Sequence, residues 1–140
     1  MGKTCPAALA ALLSTTACAE IPTPLHATFT MDAALNEPIE TVTVYVLNNK
    51  RTDEVFLSCS SLMTEAVSPT DLGVIIYAIG TVDIGGGTEL LDEIPAGTER
   101  IVYVAARGRS GAVVGNGCAQ NVTIRVGTTV DVDIVVYPLP

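Results

Sequence analysis

The sequence contains no tryptophan, one histidine and only seven lysine and arginine residues among its 140 positions. Aromatic residues make up 4% of the chain and charged residues 16%. Because the formal net charge is −8, a phosphate backbone would be repelled, and we predict that the protein does not bind nucleic acid. The scarcity of aromatic side chains also argues against a surface on which sugars or bases stack.

Residues that carry catalysis are scarce as well. His26 is the one imidazole of the chain, and no nucleophile motif accompanies it. The glycine run at residues 85–87 lacks the lysine that follows in a phosphate-binding loop, so it indicates a turn. We therefore predict no catalytic residue, no metal site and no cofactor, and a hydrolase is the least favoured class of function.

The first residues have the three-part pattern of a secretory signal peptide. Lys3 supplies a positive charge, residues 6–13 form a short apolar run, and small residues follow. The apolar run is much shorter than the roughly 20 residues that a membrane span needs. The pattern predicts an exported protein whose signal peptide occupies residues 1–17.

Two cleavage sites fit this pattern. The Thr-Thr-Ala-Cys stretch at residues 15–18 resembles a bacterial lipobox, in which the cysteine becomes the lipidated first residue. Cleavage after Ala19 would instead leave a soluble protein that begins at Glu20. We favour lipidation of Cys18, with residues 18–25 as a lipidated tether and residues 26–140 as the folded domain. The predicted membrane contact is then an N-terminal lipid anchor with two or more acyl chains.

The rest of the chain has the periodicity of β-structure. Two candidate central strands, over residues 98–106 and 129–137, are rich in β-branched residues and alternate with a period of two. In the second strand the apolar residues share one face and Asp131 and Asp133 begin the other, which fixes its register. Further strands are predicted at residues 26–31, 39–47, 54–59, 74–82, 89–94, 112–118 and 121–126.

Short strands between turn residues, without a long helical pattern, predict an all-β fold: a single antiparallel β-sandwich of roughly 7–9 strands. Residues 39–47 and 54–59 should pair as a hairpin, with the first strand half-buried. The nearly continuous apolar run at residues 74–82 predicts a strand that is covered on both faces or central in the sheet. One short helical turn is expected at residues 68–73, with Ser68 as its cap and Gly73 at its end.

Cys59 and Cys118 are the two cysteines of the predicted domain. In an exported protein such a pair is expected to form a disulfide. Closing a loop of this length would stabilise the fold by about 4 kcal/mol in the chain-entropy model. The spacing fits neither a Cys-x-x-Cys redox motif nor a four-ligand zinc site.

Several stretches together resemble a known family. They are Cys18 after the apolar run, Cys-Ser-Ser-Leu at residues 59–62, Ile-Pro-Ala-Gly at residues 94–97, and Gly117 with Cys118 ahead of Val-Gly-Thr-Thr-Val-Asp-Val at residues 126–132. The chain resembles bacterial envelope lipoproteins with an immunoglobulin-like or transthyretin-like β-sandwich. Its Pro-Ala-Gly turn is similar to that of carboxypeptidase-regulatory-like domains, which are non-catalytic. The resemblance implies a β-sandwich domain, a location at the outer membrane and no enzymatic activity.

The function predicted from the sequence is that of a non-catalytic lipoprotein of the cell envelope, acting as a structural or protein-binding module. The alternative is a soluble periplasmic or secreted carrier or adhesion module, which follows from cleavage after Ala19. Modules of this kind make their contacts through loops or sheet edges. The predicted contact loops contain Lys50 and Arg51 in one case and Arg107 and Arg109 in the other, with residues 85–87 as a third loop. An envelope protein is the expected partner.

Overall fold

A computed structural model of the chain describes residues 25–65, 68–83, 88–91 and 94–140. The predicted signal peptide, Cys18 and the glycine run at residues 85–87 lie outside the described residues. Within these ranges no helix is long and apolar enough to cross a membrane. The elements are β1 (Leu25–Met31), β2 (Thr41–Arg51), α1 (Cys59–Glu65), a 3₁₀ turn (Pro69–Asp71), β3 (Val74–Asp83), β4 (Thr88–Leu91), β5 (Gly97–Arg107), β6 (Val113–Ile124) and β7 (Val130–Pro138).

The strands form one curled sheet in the order β3-β2-β5-β6-β7-β1-β4. From β3 to β6 the pairing is antiparallel, and Tyr45 of β2 lies opposite both Ile79 and Tyr103. β1 and β7, by contrast, run parallel, from Leu25 beside Val130 onward. The all-β class is confirmed. The predicted two-sheet sandwich is not confirmed, because the sheet is continuous, and a purely antiparallel arrangement is wrong.

The sheet folds back on itself where β6 meets β7. These two strands pair at only two positions, beginning at Gly115. A Cβ atom on Gly115 would lie 2.7 Å from the carbonyl oxygen of Tyr137, and one on Gly117 would lie 2.5 Å from that of Val135. Real Cβ atoms do not approach a backbone oxygen so closely, so glycine is required for this contact between the two strands.

The curl brings one face of β1 and β7 against one face of β2 and β5. Valine, leucine, isoleucine and alanine side chains from these strands make the main core, and most are fully buried. They include Leu25, Ala27, Val42, Val44, Val46, Val102, Val104, Ala106, Ile134 and Val136. The register predicted for the last strand is confirmed, because Val132, Ile134 and Val136 of the predicted apolar face are buried, whereas Asp131 and Asp133 are exposed.

A smaller second core lies on the opposite face of β2 and β5. Its strand residues are covered by Leu62 of α1 and by Leu72 after the 3₁₀ turn. They are Tyr45, Leu47, Ile101, Tyr103 and Ala105. The prediction of a half-buried second strand is therefore wrong, since both faces of β2 are covered and even Thr43 is only 8% exposed.

The predicted disulfide between Cys59 and Cys118 is confirmed, with the two sulfur atoms 2.04 Å apart. Cys59 is the first residue of α1, and Cys118 lies in β6. The backbone N–H of Cys59 also donates a hydrogen bond of 2.8 Å to Oε1 of Gln120. The start of α1 is therefore fixed to β6 by one covalent and one polar contact, which holds Leu62 over the second core.

The chain after β2 differs from its prediction. Residues 54–59 were expected to return as a hairpin strand, but only Phe56 forms an isolated bridge, to Lys50, before the chain enters α1. The Ser58 hydroxyl accepts a hydrogen bond of 3.2 Å from the Ser61 N–H, as a helix-capping serine does. This local capping favours a short helix over a strand, and β3 takes the place beside β2.

Three further predictions need correction in part. β3 is an edge strand in the described sheet rather than a central strand or one covered on both faces. The two strands predicted over residues 112–126 are one long strand, β6, and Asn121 within it has a φ of 59°. The expected helical turn is present as the 3₁₀ turn and ends near Gly73, at φ 65°, but the Ser68 side chain makes no capping hydrogen bond.

Replacing Gly117 with alanine should destabilise the fold. The added methyl group would meet Val135 O and Ile134 Cγ2, at 2.5 and 2.6 Å, so β6 and β7 would have to separate. We expect a loss of about 1–3 kcal/mol in the free energy of unfolding, measured by denaturant titration with the disulfide intact. Thr28→Ala, on an exposed position of β1, is the control and should change stability by less than about 0.5 kcal/mol. Equal stability of the two variants would contradict the role given to Gly117.

Candidate contact surfaces

The predicted contact residues lie at opposite ends of the sheet. Thr41, at the start of β2, pairs with Arg107, and Lys50 and Arg51 lie at the other end of the same strand. At a rise of about 3.3 Å per residue, the two ends of β2 are about 33 Å apart. The structure therefore does not bring the two basic loops into one binding surface.

The four basic side chains of these loops are also engaged locally. Each has a polar or acidic partner in a nearby segment of the fold, so neither loop carries an unpaired positive cluster. The partners are Glu54 for Lys50 at 2.8 Å, Asp53 for Arg51 at 3.1 Å, the Gly111 carbonyl for Arg107 at 3.1 Å, and Glu40 for Arg109 at 3.6 Å. These contacts contribute little to stability, because exposed ion pairs are weak, but the three carboxylate partners lower the positive charge available to an anionic partner.

The edge strand β3 is a better candidate for a protein contact. It has no charged residue before Asp83, and Ile75 and Ile79 are 48% and 54% exposed. In the described sheet β2 is its one paired neighbour. An edge strand presents unpaired N–H and C=O groups that can pair with another strand, and natural edges are usually protected by charge or proline. This edge has no such protection between Val74 and Val82.

A contact from β5 holds β3 in place, and an irregularity in its pairing with β2 limits the regular part of the edge. The Arg100 guanidinium of β5 stacks on the ring of Tyr77, with Cζ 4.0 Å from the ring centroid. The register with β2 shifts by one residue between the Ala78 and Ile76 pairs, which places an irregularity at Tyr77. Residues 78–83 therefore form the regular part of the edge, in unbroken register with β2.

A buried polar network joins the second core to α1. Asn116 is 1% exposed, and its Nδ2 donates hydrogen bonds to Tyr103 Oη at 3.1 Å and to the Met63 carbonyl at 3.3 Å. Burial raises the pKa of the Tyr103 phenol. The network satisfies Asn116 and ties α1 to β5 and β6, so its evident role is structural.

The one histidine has a partner that sequence reasoning missed. His26 Nδ1 lies 2.8 Å from Asp131 Oδ1, and both side chains are largely exposed. They meet because β1 and β7 are parallel, which places these residues opposite each other. A local pattern gives no signal for a pairing of strands so distant in sequence. No group of three His, Cys, Asp or Glu side chains that could hold a metal ion occurs in the described ranges.

A pocket of about 110 Å³ lies under the segment that follows β2. Five of its seven lining residues are apolar, and the other two are Arg51 and Ser61. Small-molecule sites usually have volumes of about 300–1,000 Å³, so this pocket is too small for such a ligand. A larger hollow of about 430 Å³ beside residues 31–39 is shallow and open to solvent, so neither hollow encloses a small ligand, and the exposed sheet edge is the better candidate for a contact.

The raised pKa of Tyr103 predicts a loss of stability at alkaline pH. The folded state holds the phenolic proton more tightly than the unfolded state, so unfolding becomes easier as the pH rises above the usual tyrosine value of 10.0. In Tyr103→Phe this contribution is absent, and we expect a shallower fall in the free energy of unfolding between about pH 9 and 11. Tyr137→Phe, at an exposed position, should keep the wild-type slope. Identical slopes for all three proteins would show that Tyr103 does not carry the effect.

No protein-family model matches this chain, and no curated protein matches it. The resemblance to envelope lipoproteins and transthyretin-like domains therefore stays a prediction. The function of the exposed edge of β3 is therefore inferred from its own residues.

Proposed function

We propose that the protein is a non-catalytic, lipid-anchored protein of the bacterial cell envelope that binds another protein through the edge of its sheet. The observation that carries the proposal is the uncharged edge strand β3, with exposed Ile75 and Ile79. The few side chains suited to catalysis support it, because His26 is paired with Asp131 at the surface and Cys59 is bonded to Cys118.

The proposed partner contributes an extended segment that pairs with β3. Main-chain hydrogen bonds along residues 78–83 would supply affinity, and an apolar side chain of the partner would cover Ile79. Since residues 74–82 carry no charge, the contact buries no unpaired ion, which would be costly. A covering strand also removes the exposed edge, which would otherwise favour aggregation.

We also propose that the curled sheet is a β-sandwich in its packing, with β1 and β7 as one layer and β2 and β5 as the other. The shared main core of these four strands supports this. It is the arrangement that the resemblance to transthyretin-like and immunoglobulin-like domains implies. In such modules catalysis is absent, and the loops and edges make the contacts.

Lipidation of Cys18 is the second part of the proposal, with the outer membrane as the location. Its support is the lipobox-like stretch at residues 15–18 and the alanine, rather than aspartate, at position 19. Cleavage after Ala19 is the alternative, and it would leave the same sheet edge on a soluble periplasmic or secreted protein. The proposed contact through β3 is the same in both cases.

Ile79→Lys tests the proposed contact. A lysine at this position puts a charge on the uncharged edge, and we expect cross-linking to the partner in the host envelope to fall at least about tenfold, equivalent to about 1.4 kcal/mol of binding free energy. Tyr137→Lys, on the internal strand β7 and 46% exposed, is the matched control and should keep the cross-linked complex. Both variants should unfold at the wild-type temperature. A complex that survives Ile79→Lys, or that both variants lose equally, would count against binding through β3.

A further inference from the structure

We infer that the end of the domain from which the N-terminal segment departs contacts the bilayer surface, and that Val55 and Phe56 enter the lipid interface there. The inference rests on the proposed lipid anchor, to which it adds a second, non-covalent membrane contact. The membrane contact also sets the orientation of β3 relative to the bilayer.

The strand register places the N-terminal segment and the end of β2 at the same end of the sheet. The described chain begins at Leu25, which pairs with Val130 at the start of β7. β7 follows β6 by a short turn, and the end of β6 pairs with Gly97 at the start of β5. Because β2 runs antiparallel to β5, Arg51 at the end of β2 lies at this end too. We call it the tether end of the domain.

The length of the tether restricts which end can meet the membrane. Residues 19–24 lie between the proposed acylated Cys18 and Leu25, the first described residue, and the seven Cα–Cα steps from Cys18 to Leu25 span at most about 25 Å. The opposite end of β2 is about 33 Å from the tether end. A lipid anchor at Cys18 therefore keeps the tether end near the bilayer, whereas the end that carries Arg107 and Arg109 lies beyond the reach of the tether.

Apolar side chains are exposed at the tether end. Phe56 is 71% exposed, and the adjacent Val55 is 52% exposed. Val126, in the turn between β6 and β7, is 44% exposed. Lys50 Nζ lies 5.2 Å from the centroid of the Phe56 ring. An apolar side chain beside a long basic side chain is a common arrangement at a lipid interface, where the first enters the acyl boundary and the second reaches the headgroups.

The charge of this segment also suits a bilayer. The whole chain carries a net charge of −8 and would be repelled by anionic headgroups. Between Lys50 and Phe56, however, two cations face two carboxylates at 2.8 and 3.1 Å, so the segment is neutral. Repulsion from anionic headgroups is therefore weak at the segment that carries the exposed Phe56.

Backbone contacts hold Phe56 outward. Arg51 N–H donates to the Val55 carbonyl, and Leu57 N–H donates to that of Asn49, both at 2.8 Å. Glu54 adopts a φ of 72°, a left-handed conformation that is unfavourable for glutamate. The exposure of Phe56 is therefore a feature of an ordered turn, and the side chain is placed for contact before the membrane is met.

The test uses the full lipidated protein in vesicles of phosphatidylethanolamine and phosphatidylglycerol. Because the chain has no tryptophan, Phe56→Trp introduces a single fluorescent reporter at the proposed contact. Tyr137→Trp is the matched control, an aromatic position of 46% exposure on β7 near the opposite end. We expect the emission of Phe56→Trp to shift to shorter wavelength on vesicles and to be quenched by brominated lipid. The emission of Tyr137→Trp should stay as in buffer.

Each outcome bears on the inference in a defined way. If both variants float with the vesicles but neither emission changes, the anchor stands and the membrane contact is refuted. If neither variant floats, the anchor itself is wrong and the inference falls with it. A blue shift of Phe56→Trp that appears without lipid and grows with protein concentration would assign this surface to self-association, which also overturns the inference.

Discussion

The close approach of β6 and β7 at Gly115 and Gly117 is the constraint on which the rest of the fold depends. Without Cβ atoms at these positions, the carbonyl groups of β7 come directly against β6, and the sheet can turn over there. The turn carries β1 and β7 across β2 and β5 and closes the main core. Each valine or isoleucine buried in that core contributes about 1.5–3 kcal/mol, so the glycine contact controls most of the hydrophobic stabilisation.

The second core, with its disulfide, explains where the free surface lies. Cys59 fixes α1 to β6, α1 and the 3₁₀ turn cover the outer face of β2 and β5, and β3 is left at the edge of the described sheet. Val74 pairs near Arg51 at the tether end, and Asp83 lies at the far end. If the tether end meets the membrane, β3 extends away from the bilayer with its edge open to a partner. The proposed anchor, membrane contact and protein contact therefore occupy separate parts of one domain.

Local patterns predicted part of this structure. The alternation of Ile134 and its neighbours with Asp131 fixed the last strand, and the cysteine pair followed from its predicted export. The parallel pairing of β1 with β7 has no local signal, which is why the contact of His26 with Asp131 was missed. The apolar run of β3 indicated a buried strand, yet its sheet position leaves Ile79 exposed. The apolar composition of β3 at an exposed edge of the sheet is itself the strongest indication of a contact surface.

We propose that this domain is held at a membrane through Cys18. The most direct test is the intact mass of the protein purified from the membranes of its native host. We expect a chain that begins at Cys18 and carries acyl chains, with the Cys59–Cys118 bond intact. A chain without acyl groups that begins at Glu20 would contradict it and would leave a soluble protein with the same sheet edge.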